Sequence, residues 1–160
     1  MKLTQLQESF FRRSGYILLK NQLPPDLTSP AKKTASSTDW TKPAKFKDGK
    51  PIKVYGIYQR MIGAFNRIIL SDAVLDPLEA LLGPNIEFLL NRHNSLTFNN
   101  KGEIPERLHR DVLQWTRNIL TVMVYLDDAS VQNGCTRIIP TSHLFPFVGT
   151  PNNGGTWMDG

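Results

Sequence analysis

Gly83-Pro84 separates two stretches of this chain that follow different hydrophobic periods, and any fold must bury both. Before the pair, Val74, Leu75, Leu78, Leu81 and Leu82 fall on one face at helical spacing, so residues 73–82 read as a helix that Gly83 and Pro84 stop. After it, the apolar runs become short. Residues 86–90, 94–98, 118–126 and 136–139 read as strands separated by turn formers, with Thr-Val-Met-Val-Tyr-Leu at 121–126 the clearest. Asn133-Gly134 adds a hairpin signal. Helices first and strands later predict an α+β chain.

The first half is less uniform. Leu3, Leu6, Phe10 and Phe11 recur near a 3.6 period, and Gly15 is well placed to end that helix. Residues 16–19 then read as a buried strand, and 55–70 as mixed strand and helix. Residues 21–53 are rich in Pro, Lys, Ser and Thr, and read as a long loop whose flexible insertion covers about 27–53. Within it, residues 31–53 hold Lys32, Lys33, Lys42, Lys45, Lys47, Lys50 and Lys53 against Asp39 and Asp48, which accounts for much of the net charge of +5. No helix-turn-helix or zinc-finger spacing accompanies these lysines, so a solvated loop is expected, with no nucleic-acid partner. No apolar run approaches the roughly 20 residues of a membrane span, so no membrane partner is expected either. The 160 residues suit one domain over 1–160, with a loop-like tail at about 148–160. The first seven residues carry no secretory pattern, and Cys135 is the single cysteine, which fits a reducing compartment such as the cytoplasm.

The chemistry concentrates at His109-Arg110-Asp111. On an extended segment, residues two apart project to the same side. They offer one imidazole nitrogen and one carboxylate oxygen to a single metal, two-thirds of the 2-His-1-carboxylate set that suits Fe(II) and leaves positions open. With three His in the chain, a chance His-x-Asp is expected about one time in six, and a surface ion pair is the plain alternative. Context adds weight. A strand begins eight residues on, Leu126-Asp127-Asp128 ends it, and Asn133-Gly134-Cys135 and Ile139-Pro140-Thr141-Ser142-His143 follow in order.

That succession, with Gly15-Tyr16-Ile17 near the start, resembles the phytanoyl-CoA dioxygenase family over most of residues 5–148. The resemblance implies a double-stranded β-helix, the cupin-type jelly roll. It implies Fe(II) held by His109, Asp111 and a distal histidine, 2-oxoglutarate chelating the iron, and an arginine on a late strand pairing with its far carboxylate. Ascorbate is an accessory reductant on this reading. The implied reaction oxidises an unactivated carbon of a small organic substrate, usually by hydroxylation, and releases succinate and CO2. Two residues depart from the pattern: Arg110 stands where Gln is frequent, and Thr141 where Gly precedes Ser-His. The distal histidine and the arginine are expected beyond Gly160. The chain therefore reads as the N-terminal portion of such a domain, inactive alone, its C-terminal half encoded separately or missing.

Other residues have competing readings. His143 is the remaining candidate third ligand, although the resemblance places it in a structural loop. His93 reads as hydrogen-bonded or exposed. Met123 and Tyr125 share a strand face and could line the 2-oxoglutarate pocket or simply fill core. Arg137 defaults to the surface. His-Arg-Asp also suggests a kinase catalytic loop, but Thr116 stands where that loop needs Asn. The alternative function is a non-catalytic, truncated cupin-like remnant or binding module.

Overall fold

The computed structural model describes residues 2–40, 44–47, 49–90, 94–98 and 118–144. Its elements are helix α1 (Gln5–Ser14), α2 (Pro25–Ser37), strands β1 (Ala44–Lys47) and β2 (Lys50–Tyr55), helices α3 (Ile57–Arg60), α4 (Ile62–Ile69) and α5 (Asp72–Leu82), and strand β3 (Ser95–Thr97). Short 3-10 turns follow at Val131–Asn133 and Ser142–Leu144. The strands form one antiparallel sheet in the order β1-β2-β3. The protein is thus α+β, mixed helix with a small antiparallel sheet.

Helix α1 starts at a reciprocal cap. The Thr4 hydroxyl accepts from the Gln7 N–H at 3.2 Å, and Gln7 Oε1 accepts from the Thr4 N–H at 2.8 Å. It ends as its sequence predicts, with Gly15 left-handed at φ +80°. Helix α5 also stands where periodicity puts it and stops at Gly83.

Helix α2 corrects the loop expected over 27–53. Pro25 occupies the first helical position, where its missing N–H costs nothing. Pro30, inside the helix, cannot donate to the Asp26 carbonyl, and Arg67 Nη2 from α4 donates to that oxygen at 3.3 Å. The same device recurs in α5. Pro77 leaves the Ala73 carbonyl without its helical donor, and Gln22 Nε2 supplies one at 3.1 Å. Ala31 and Ala35 are small enough for α2 to lie close against the core. Further along the expected loop, β1 and β2 pair as a hairpin, with Gly49 before β2 at φ +72°.

The core joins α2 to the sheet and to α3, α4 and α5 through Ala31, Ala35, Trp40, Val54, Ile57, Met61, Ile68 and Val74. Val54 is 0% exposed at its centre. Ala44 and Leu96, opposite Val54 on β1 and β3, also pack against this cluster, so one face of the sheet meets the helices. Asn94 ties β3 to α3. Its carbonyl accepts from Gly56 and Ile57, its Oδ1 accepts from the Tyr58 N–H at 2.9 Å, and so a side chain 36 positions away caps the helix.

Among the described residues, four other stretches read as strands carry no ladder: 16–19, 86–90, 118–126 and 136–139 lie outside the sheet. Apolar and β-branched composition favours extended backbone but does not supply a hydrogen-bonding neighbour. The Asn133-Gly134 pair likewise closes a 3-10 turn, capped by Gly134 at φ +84°, and not a two-residue hairpin.

Candidate functional site

The segment 118–144 carries most motifs of the sequence resemblance that fall within the described residues. Val124 and Leu126 pack against the helical core, whereas Met123 and Tyr125 are 55% and 42% exposed. The two co-substrate candidates thus sit on the side away from the helices. Thr136 joins them: its N–H donates to Tyr125 Oη at 3.4 Å, and its hydroxyl reaches Met123 Sδ at 3.8 Å. The turn between is built by short-range bonds. Cys135 N–H donates to Ser130 O at 2.9 Å, and Asn133 Nδ2 donates to Asp128 O at 2.7 Å.

The acidic corner is anchored to the lysine-rich segment. Lys32 of α2 forms an ion pair with Asp127. The hydrogen bond to Asp127, and then its negative charge, raises the Lys32 pKa above its ordinary 10.5. Sequence offered no signal for this pairing, because the partners lie 95 positions apart.

His143 sits elsewhere. Its Nε2 lies 3.2 Å from the Arg12 carbonyl at the C-terminus of α1. A Cβ added to Gly15 would fall 2.8 Å from His143 Cγ, so glycine makes room for the ring as well as for the left-handed turn. Beside it the Thr141 N–H donates to Ser14 O at 2.9 Å, and Thr141 itself is left-handed at φ +66°. The Pro140-Thr141-Ser142-His143 loop is therefore clasped to the end of α1.

The proposed ligands His109 and Asp111, and also His93, lie outside the described residues. Among the described residues no group of three or more His, Cys, Asp or Glu is arranged to hold a metal ion. Arg137 takes its place in the exposed 136–139 stretch.

Comparison with known proteins decides the family. The family model for phytanoyl-CoA dioxygenase (PhyH) matches residues 11–154. The chain belongs to the phytanoyl-CoA dioxygenase family. No curated protein matches the chain, and no solved structure does. As a member of the phytanoyl-CoA dioxygenase family, an oxygenase family whose members generally use Fe(II) and 2-oxoglutarate, the chain brings His109, Asp111, Met123, Tyr125 and His143 all inside the matched range.

Proposed function

We propose that this chain carries the iron-binding part of a non-haem Fe(II), 2-oxoglutarate-dependent oxygenase of the hydroxylase type. The observation that carries the reading is the family match over 11–154, which contains the His-x-Asp pair. His109 and Asp111 would hold Fe(II) through one imidazole and one carboxylate, a donor pair whose chemistry fits that ion. When bound, iron and 2-oxoglutarate supply oxidation of an unactivated carbon coupled to release of succinate and CO2. Met123 and Tyr125 would border the co-substrate, and their exposure away from the helical core supports that role. His143 is read as a structural histidine, because its ring already seats against α1.

The surrounding fold is proposed to be the double-stranded β-helix, to which the sheet β1-β2-β3 would contribute. The compartment is proposed to be reducing and cytoplasmic, in keeping with one cysteine. Among the described residues no helix is long and apolar enough to cross a membrane.

The test is Fe(II)- and 2-oxoglutarate-dependent succinate formation by an expressed protein containing this chain, with ascorbate present. His109→Ala and Asp111→Ala should each abolish it and lower Fe(II) affinity in a binding titration. Retained turnover in either variant would remove the assignment. A folded protein that binds no Fe(II) and makes no succinate would favour a non-catalytic module.

A further inference from the structure

Two methionines stand among the described residues, and their surroundings differ. Met61, between α3 and α4, is 5% exposed within the core, whereas Met123 is 55% exposed. The Thr136 hydroxyl donates to Met123 Sδ at 3.8 Å. A thioether is a weak acceptor, so this bond by itself contributes little. Its geometry matters more. The Thr136 backbone N–H donates to Tyr125 Oη at 3.4 Å, so one residue serves both side chains. Just before it, the Cys135 N–H is tied to Ser130 O at 2.9 Å, which fixes the chain that delivers the hydroxyl to the sulfur.

An oxygen added to that sulfur would be a far better acceptor. Place it one bond from Sδ, accepting at a lone-pair angle from a hydroxyl about 2.8 Å away. Sulfur and hydroxyl oxygen then stand close to the separation they already have. Thr136 is thus positioned to donate to the oxidised side chain without moving. Solvent reaches this sulfur directly, while reaching Met61 requires the core to open. Oxidation turns a flexible apolar side chain into a polar, chiral one.

We propose that Met123 is a redox modification site: hydrogen peroxide oxidises it to the sulfoxide, and Thr136 holds the new oxygen. A sulfur lone pair attacks one peroxide oxygen. The S–O bond forms, the O–O bond breaks, and the second oxygen leaves as water with both peroxide protons. Sulfur loses two electrons and peroxide gains them. Methionine sulfoxide reductases reverse the change. The consequence for the co-substrate rests on the oxygenase reading. There the sulfoxide brings a partial negative charge to the border of 2-oxoglutarate, a dianion, and weakens its binding.

The experiment treats the metal-free protein with hydrogen peroxide, then digests it with trypsin. Peptide 118–137 carries Met123 and peptide 61–67 carries Met61, and fragment masses separate Met123 from Cys135. Met123 should oxidise about tenfold sooner, because a buried sulfur waits for local opening. Peptide 118–137 is next offered to each of the two epimer-specific reductases. The epimers should differ in amount about two- to tenfold, the net scale of one hydrogen bond. Thr136→Ser should keep that bias and Thr136→Val should lose it. Earlier oxidation of Met61, equal epimers in the unaltered protein, or a bias indifferent to Thr136→Val would each overturn the inference. 2-Oxoglutarate is then titrated calorimetrically into Fe(II)-loaded protein without oxygen, before peroxide treatment and after its removal. Affinity should fall several-fold on oxidation, and in Met123→Leu it should not respond to peroxide. An unchanged affinity with Met123 oxidised would overturn the effect on the co-substrate. No 2-oxoglutarate binding before treatment, with the epimer bias present, would remove the oxygenase reading and leave the modification site standing. Binding with equal epimers would do the reverse.

Discussion

Thr141 is the residue most at odds with its own backbone. It is β-branched, yet it holds φ +66° in a loop where the family resemblance has glycine. Left-handed backbone costs an L-residue about 1–2 kcal/mol, part of which glycine would return as lost chain entropy. Thr141→Gly should therefore raise stability by roughly 1 kcal/mol in urea unfolding, with an unchanged slope. An equal or lower midpoint would show that the hydroxyl or methyl makes up for the strain. Gly15 predicts the opposite. Gly15→Ala should destabilise twice over, through φ +80° and through the His143 ring. In a His143→Ala background the ring penalty should vanish and the backbone penalty remain, which a double-mutant cycle separates. Gly15 and Gly83 were legible as helix stops because glycine marks that conformation by its identity. Thr141 was not, since nothing about threonine announces a positive φ and its anchor at Ser14 lies at the other end of the chain.

At the scale of elements, prolines explain what was misread. Pro30 and the lysines around it look like loop, yet α2 packs through Ala31 and Ala35, and Arg67 donates to the carbonyl that Pro30 cannot serve. That donor is 41 positions away, beyond the reach of any local pattern. Helix α5 was legible because its apolar face outweighs Pro77. The cost appears at Gln22, whose amide answers the Ala73 carbonyl. Gln22→Ala should lose about 0.5–1.5 kcal/mol in the natural background. With Pro77→Ala, residue 77 regains its N–H for Ala73 O, and the same Gln22 change should become nearly silent. Equal losses in both backgrounds would separate Gln22 from the proline. The Lys32–Asp127 pair gives α2 a pH signature. Because Lys32 is raised above 10.5 when folded, its contribution is fully present below that value and is lost as pH climbs through the folded pKa. Melting followed from about pH 9 to about pH 12 should show an alkaline decline that is smaller in Lys32→Met.

At the scale of the molecule, the fully buried core of the described residues comes from the stretch read as loop, the stretch read as mixed strand and helix and the helix before Gly83, while the residues read as strands after Pro84 add Leu96, Phe98, Val124 and Leu126 at its edge. The apolar residues of 119–139 are numerous, but packing depends on which faces meet. Of that segment, Val124 and Leu126 join the cluster built by α2, β2, α4 and α5. Trypsin should therefore cut after the exposed Arg137 before it cuts after Arg67, whose bond leads into buried Ile68 of α4. Earlier cleavage at Arg67, read by mass spectrometry, would place the stable unit elsewhere. The candidate site was legible as a succession of motifs, because metal ligation demands particular residue types at fixed spacing. The partners that hold those motifs in place were not: Lys32 for the acidic corner, Thr136 for Met123 and Tyr125, and the α1 terminus for His143.

The clasp between His143 and Arg12 spans 131 positions. On a ribosome adding about 5–20 residues per second, the end of α1 must wait roughly 7–26 s for the loop that covers it. Throughout that interval Gly15 and the carbonyls before it face water or a chaperone. Helix α1 is made well before the loop that seats its end, so variants that loosen the clasp should burden the nascent chain more than the finished protein.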